Sequence, residues 1–275
     1  MTKAQESSGS STKGASGGSS PHTKAVEQLQ RVLLPRRGEP HDVRSLYLLE
    51  VETNKTRATW DDRTSVTIPA GSEVSFQTYF NAFPAAYWRR WTIVEKVTLR
   101  VAVSGSGSVI VYKSNARGAS HRVDSARIDP EPTELVFELP LNTFGDGGWY
   151  WFDVAADSED AVVESARWEA EVPAETPRGR VTIGVTTFNR PTDCAVMLGQ
   201  LGASDTLPGV LNEVVVSDQG SRNVVDDPRF PAAREALGDG LRIIYQPNLG
   251  GSGGFSRGMY EALEGGADYV LLLDD

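Results

Sequence analysis

Residues 246–275 read QPNLGGSGGFSRGMYEALEGGADYVLLLDD, and this stretch decides the fold of the C-terminal third of the chain. Gly250–Gly254 predict a loop, SRGMYEALEGG a helix, and ADYVLLLDD an apolar strand closing on the carboxylates Asp274 and Asp275. Working backwards, LRIIYQPN, LNEVVVSDQG and RVTIGVTTF read as strands, with DPRFPAAREALG and RPTDCAVMLGQLG as helices between them. Strands that are nearly continuous apolar runs and alternate with helices predict a mainly parallel sheet covered on both faces. An α/β domain of the nucleotide-binding type is therefore expected over residues 181–275.

Further towards the N-terminus the period becomes two. KVTLRVAVSG places Val97, Leu99, Val101 and Val103 on one face, and GSVIVYKS, ELVFELPL and GWYWFDVA repeat the pattern between Gly, Pro, Asn and Asp. Residues 45–172 accordingly read as an antiparallel β-sandwich of jelly-roll type. The Pro-containing stretch EVPAETPRGR contains the expected linker, residues 173–180. AVEQLQRVLLP spaces Val26, Leu29, Val32 and Leu33 at helical intervals, so residues 25–44 are read as a short helix and connector. Residues 1–24 are rich in Ser, Gly, Thr and Lys and read as a disordered tail.

Composition narrows the function. The 275 residues carry 27 basic and 37 acidic side chains, a formal charge of −10, which argues against a nucleic-acid-binding surface. One cysteine, Cys194, excludes an internal disulfide and a cysteine-based zinc site. No apolar run approaches a membrane span, and the first residues lack the apolar segment of a signal peptide.

In open parallel sheets ligands bind beyond the carboxyl ends of the strands. Those positions hold Thr187, Phe188, Asn189 and Arg190, then Asp218, Gln219 and Arg222, then Gln246, Asn248 and Gly250–Gly254, and finally Asp274 and Asp275. An aromatic offers stacking area for a base, amides reach its polar edge, and Arg190 offers a planar fork of donors to phosphate. Glycine lets backbone approach a bulky ligand, and carboxylates are hard oxygen ligands for Mg²⁺ or Mn²⁺. The set suits a pyrimidine nucleoside diphosphate. Taken singly each has a plainer reading: Phe188 as core, Asn-Arg-Pro as a helix start, GGSGG as a linker, the acidic pair as a solvated end. The aromatic run SFQTYFNAFPAAYWRRW reads first as core or interface, with a sugar-stacking platform as the functional alternative.

TTFNRP, DQG, QPNLGGSGGFSRGMYEAL and LLLDD, in this order, resemble the GT-A domain of the polymerising galactofuranosyltransferases of mycobacteria and related actinobacteria. SEVSFQTYFNAFPAAYWRRW and DGGWYWFDV resemble the N-terminal β-sandwich of the same family. The resemblance implies an inverting, metal-dependent enzyme. Such an enzyme transfers galactofuranose from UDP-galactofuranose onto a lipid-linked galactan of the cell wall. It implies that Phe188, Arg190, Gln219 and Asn248 contact the UDP-sugar, with Thr187, Gly250 and Gly251 beside them. Asp274 corresponds to the first carboxylate of an Asp-Asp-Asp metal motif and Asp275 to its middle one, with Mn²⁺ or Mg²⁺ as cofactor and Asp274 as the metal ligand. The general base is expected beyond Asp275, in a longer protein, so no catalytic residue is assigned; His22, His41 and His121 are not candidates. Homo-oligomerisation and peripheral contact with the inner face of the plasma membrane are further implications. Two alternatives stay open: a galactan-initiating galactofuranosyltransferase, and a non-catalytic glycan-binding fragment.

Overall fold

The computed structural model describes residues 23–36, 43–51 and 56–275. The tail read at residues 1–24, His22, most of the connector to residue 44 and His41 fall largely or wholly outside them. The chain divides into two compact units at Thr176/Pro177.

The first unit is one antiparallel sheet. Its strands are β1 (Lys24–Arg31), β2 (Leu49–Glu50), β3 (Val66–Ile68), β4 (Glu73–Ser75), β5 (Lys96–Ser114), β6 (Ser120–Ile128), β7 (Thr133–Pro140) and β8 (Tyr150–Pro173). A short α-helix, α1 (Ala85–Trp91), interrupts them. The two long strands, β5 and β8, pair along almost their whole length, and each serves two groups of neighbours. The first half of β5 also pairs with β7, and the second half with β6. The first half of β8 also pairs with β4, and the second half with β1 and β3.

A crease separates the halves. The β5–β8 register jumps from Gly105↔Ala161 to Gly107↔Ala156, leaving Asp157–Asp160 outside the ladder. Gly105 has φ +107°, and a Cβ there would lie 2.1 Å from the Asp160 carbonyl oxygen, so only glycine fits. The bend folds the sheet over its own core. Tyr150 and Trp168 would stand ~60 Å apart on a straight strand, yet their ring centroids are 6.3 Å apart. Phe83 stacks on the same Trp168 at 5.0 Å. Val97, Leu99 and Val101 from one half and Val109, Val111 and Val154 from the other are all fully buried in one cluster. The expected sandwich is thus a single creased sheet whose two layers share β5 and β8.

Residues 25–44 need correction, because β1 is a strand and not a helix. It pairs antiparallel with the edge of β8, Lys24↔Pro173 through Arg31↔Arg167, with a bulge between Gln28 and Gln30. Leu29 and Val32, three apart as in a helix, both turn inward because the bulge slips the alternation by one residue, whereas Val26 faces outward. Beyond it Val32 and Leu34 are buried in period two. Pairing with an open edge overrides the local preference.

The second unit is a parallel α/β sheet. Its elements are β9 (Val181–Thr187), α2 (Pro191–Gly202), β10 (Leu211–Asp218), α3 (Phe230–Leu237), β11 (Leu241–Tyr245), α4 (Gly250–Glu264) and β12 (Tyr269–Asp274). All strand pairs are parallel, in the order β11-β10-β9-β12. Alternate residues face opposite sides. Ile183, Val185, Val214 and Val216 pack with Cys194, Leu198, Phe230 and Ala233 of α2 and α3. The other face carries small or hydroxylated side chains and takes α4. A Cβ on Gly184 would lie 3.2 Å from the Gly258 Cα, and one on Gly254 2.3 Å from Thr186 Cγ2.

This corrects the loop expected at Gly250–Gly254. Residues 250–254 form the first turns of α4, and Gly254 among them admits the helix to close contact with Thr186 of β9. Glycine disfavours a helix by about 1 kcal/mol per residue relative to alanine, but tight packing against the sheet compensates. Among the described residues no helix is long and apolar enough to cross a membrane.

Asp153 of β8 gives this fold a pH signature. Burial pushes its carboxyl up to about 6, with Glu73 adding to the rise and the Ser75 hydroxyl opposing it, while one carboxylate oxygen is buried without a partner. A carboxyl whose folded-state pKa is raised binds more protons folded than unfolded. It therefore removes stability as pH climbs from about 4 to about 6. Asp153→Asn should consequently melt higher than the wild type at pH 7, and the gap should shrink as pH falls through that window. Parallel melting curves for the two proteins from pH 4 to pH 7 would show that Asp153 is already well solvated.

Candidate nucleotide-sugar site

The strand order decides where a site can lie. From β9 the chain moves to β10 and β11 on one side, then returns through α4 to β12 on the other. The reversal opens a crevice between β9 and β12 at their carboxyl ends, the position at which parallel α/β sheets bind ligands. Thr187 ends β9 there and Phe188 and Arg190 follow it; Asp274 ends β12, in register with Thr186, and Asp275 follows. Asp218 of β10 sits in register with Thr187 and with Tyr245 of β11. The sheet thus brings the sequence-derived candidates to one edge.

Their environments differ. Phe188 is 48% exposed and belongs to neither face of the core. Arg190 is exposed at the start of α2, where Pro191 occupies the first turn. Thr187 is buried beneath them. Asp274 is exposed. Asp275 is half-buried, with one carboxylate oxygen shut away from solvent and unpartnered. Burial raises the Asp275 carboxyl above the usual range, and Asp274 adds to the rise. The Thr187 hydroxyl and Arg190 pull it back down.

Gln219 is hydrogen-bonded to the surrounding loops. It is buried, and its Oε1 accepts from the Leu249 N–H at 2.8 Å and from the Gln246 amide at 3.2 Å. Its Nε2 donates to the Gly250 carbonyl at 3.1 Å, and its own N–H to the Thr187 carbonyl at 3.0 Å. These bonds hold the 246–250 loop against the β9–β10 edge. Asn248 is exposed, and its Oδ1 accepts from the Gly250 N–H at 2.9 Å, where Gly250 turns with φ +70° into α4. Gly250 and Gly251 are exposed at that turn.

Two organising residues were less legible. Asn189 adopts φ 59°, a left-handed conformation that asparagine tolerates better than most residues. Its Oδ1 accepts from the N–H groups of Ser221 and Arg222 at 2.9 and 3.0 Å, and the Arg222 guanidinium returns a bond to the Asn189 carbonyl. Asp218 is buried and accepts from the N–H groups of Gly220 and Val224 at 3.1 and 2.9 Å. Together they tie the loop after β9 to the loop after β10. An Asn before Arg-Pro and an Asp at a strand end were the only signals. Cys194 lies beneath this edge with its thiol pushed up to about 12 by burial, reinforced by Asp275 and Asp218, which leaves it inert as a nucleophile.

A divalent cation fits the edge in a limited sense. Among the described residues no three His, Cys, Asp or Glu side chains converge. Mg²⁺-like ions, however, are commonly held by one or two protein carboxylates, with substrate phosphates and water completing the shell. The exposed Asp274 and the unpartnered oxygen of Asp275 match that partial donor set.

Comparison with known proteins identifies the family of the chain. The family described as Galactofuranosyltransferase 2 N-terminal matches residues 29–171. Galactofuranosyltransferase GlfT2 of Mycolicibacterium smegmatis is 49% identical over 257 residues, which is 92% of this chain and 40% of that protein. GlfT2 of Mycobacterium tuberculosis is 49% identical over 91% of this chain and 40% of its own length. Galactofuranosyltransferase GlfT1 of M. tuberculosis is 37% identical over 94 residues, 33% of this chain and 28% of that protein. The chain spans about 40% of the length of the GlfT2 relatives.

The role of Gln219 can be tested directly. Gln219→Leu strips partners from Leu249, Gly250 and Gln246 and should cost about 2–4 kcal/mol in chemical denaturation. Amide exchange at Leu249 should quicken. An unchanged midpoint and unchanged exchange would mean that the side chain is free to bind ligand.

Proposed function

The chain belongs to the galactofuranosyltransferase 2 N-terminal family, and from that premise we propose that its α/β unit forms the donor half-site of a galactofuranosyltransferase of GT-A type. The donor is UDP-galactofuranose and the acceptor a lipid-linked galactan, with transfer proceeding by inversion at the anomeric carbon. The observation that carries this reading is the β9–β12 crevice, which gathers an exposed aromatic, an exposed arginine and a carboxylate pair at one sheet edge.

Each residue has a physical task in it. Phe188 offers a face on which the uracil stacks. Arg190 grips the diphosphate with a planar fork of donors. The amino end of α4, where Gly250 and Gly251 present backbone without a Cβ, adds partial positive charge towards the same phosphates. Gln219 positions that end, and Asn248 and Thr187 border it. Asp274, with Asp275 beside it, would hold Mn²⁺ or Mg²⁺. When bound, the ion neutralises charge on the departing UDP. Deprotonation of the acceptor hydroxyl is assigned to none of these residues. An oligomer working at a membrane surface is compatible with this chemistry but is not required by it.

The reading follows the GlfT2 relatives, which are similar over nine-tenths of the chain, whereas similarity to GlfT1 covers a third.

Calorimetric titration with UDP, with and without Mn²⁺, tests the proposal. Binding should depend on the metal, lose that dependence in Asp274→Asn, and weaken about tenfold or more in Arg190→Ala. UDP binding that ignores both the metal and Arg190 would overturn this assignment.

A further inference from the structure

The first unit contains a cleft of about 630 Å³ whose lining includes Gln30, Gln77, Tyr79, Phe80, Trp149 and Trp151. We propose that this cleft binds a neutral oligosaccharide, with Trp149 and Tyr79 stacking on sugar rings and the Gln77 amide meeting their hydroxyls. The site lies wholly within the β unit and does not rest on the donor-site reading.

The lining argues for the chemistry. Among the described residues no charged side chain borders the cleft, although 23% of the chain is charged. A phosphate, carboxylate or ammonium ligand would therefore find no counter-charge there. A purely aliphatic ligand would strand the amide and hydroxyl groups of Gln77 and Ser114 against apolar surface. A saccharide has both kinds of face: a patch of C–H bonds that covers an aromatic ring, and hydroxyls that pair with amides.

Exposure of the rings is the second argument. Trp149 is 46% exposed, Tyr79 80% and Phe80 41%, so none of them is needed to fill the core. Trp151, at 3%, forms the buried side of the cleft and stacks on Tyr112 at 5.7 Å.

The Tyr79 and Phe80 rings and the backbone of Trp149 are also held in place before any ligand arrives, which reduces the ordering cost of binding. Phe80 stacks on Tyr47 at 4.6 Å, and Tyr79 meets Phe80 edge-on at 5.0 Å. Gln30 fixes that loop through its Nε2, which donates to the carbonyls of Phe80 at 3.0 Å and Ala82 at 3.3 Å. Trp149 is clamped to the end of β5. Its N–H donates to Ser114 Oγ at 3.1 Å, and its carbonyl accepts from the Ser114 N–H at 2.9 Å. Gly148 just before it has φ +134°, and a Cβ there would strike the Phe144 ring at 2.6 Å, so the backbone entering Trp149 has one shape.

The test titrates the full chain with two neutral hexasaccharides, one of galactofuranose and one of galactopyranose units, while following tryptophan emission. Saturable quenching by at least one of them is expected. Trp149→Ala and Gln77→Ala should each weaken it by about threefold to tenfold or more. Both positions are exposed, so near-ultraviolet circular dichroism of the variants should match the wild type in everything but the lost indole. No saturation by either sugar in the folded wild type, or equal affinity in both variants, would overturn the proposal. So would preferential saturation by dodecyl sulfate below its micelle concentration, which would mark an apolar docking groove. UDP binding measured on the same samples reports on the donor site separately, so failure of one reading leaves the other standing.

Discussion

The site edge depends on how closely α4 can lie against β9. Two glycines, Gly184 on the strand and Gly258 on the helix, face each other so closely that a Cβ on either would lie 3.1–3.2 Å from the other's Cα and force the helix outward. One turn earlier Gly254 rests on Thr186, and the Ser217 hydroxyl donates to the Gly254 carbonyl at 3.4 Å. This contact sets the helix so that its amino end emerges over the carboxyl ends of the strands, and Gln219 then fastens the entering loop to the sheet. A larger residue at Gly258 would lift the helix and carry Asn248 and Gly250 away from Phe188 and Arg190. The packing of one helix and the shape of the candidate donor site are therefore one constraint.

Electrostatics at this edge are local and not global. The chain is acidic overall, with a charge of −10, yet the proposed ligand is a dianionic diphosphate. Attraction has to come from Arg190, from the helix end and from a divalent cation between the carboxylates and the phosphates. Asp275 shows the tension in that arrangement, since burial and Asp274 both disfavour its charge. A cation would relieve both effects at once. The β unit has the opposite character: its cleft is neutral, aromatic and bordered by amides, and suits a ligand without charge.

Much of the α/β unit was legible in the sequence because its strands are short, continuous apolar runs and its helices are punctuated by Pro and Gly. The residues beyond those strands could be named from that reading alone. What stayed hidden was tertiary. GGSGG looks like a loop by propensity, and only the facing surface of β9 makes it a helix. AVEQLQRVLLP looks like a helix by spacing, and only the open edge of β8 with a bulge makes it a strand. The alternation in β5 marks buried positions correctly on both sides of the crease, but nothing local reveals that Gly105 folds the sheet upon itself. Gln219 could be named from its strand end, but its bonds to the 246–250 loop could not, because the number of hydrogen bonds a buried amide makes is invisible until its neighbours are known.

The most direct measurement of the central claim is hydrogen–deuterium exchange of the full chain, free and with UDP and Mn²⁺. The account predicts slowed exchange confined to the segments after β9, β10 and β11 and to Asp274–Asp275, with the β unit unchanged. Protection appearing in residues 45–172, or none at the β9–β12 edge under saturating UDP, would contradict it.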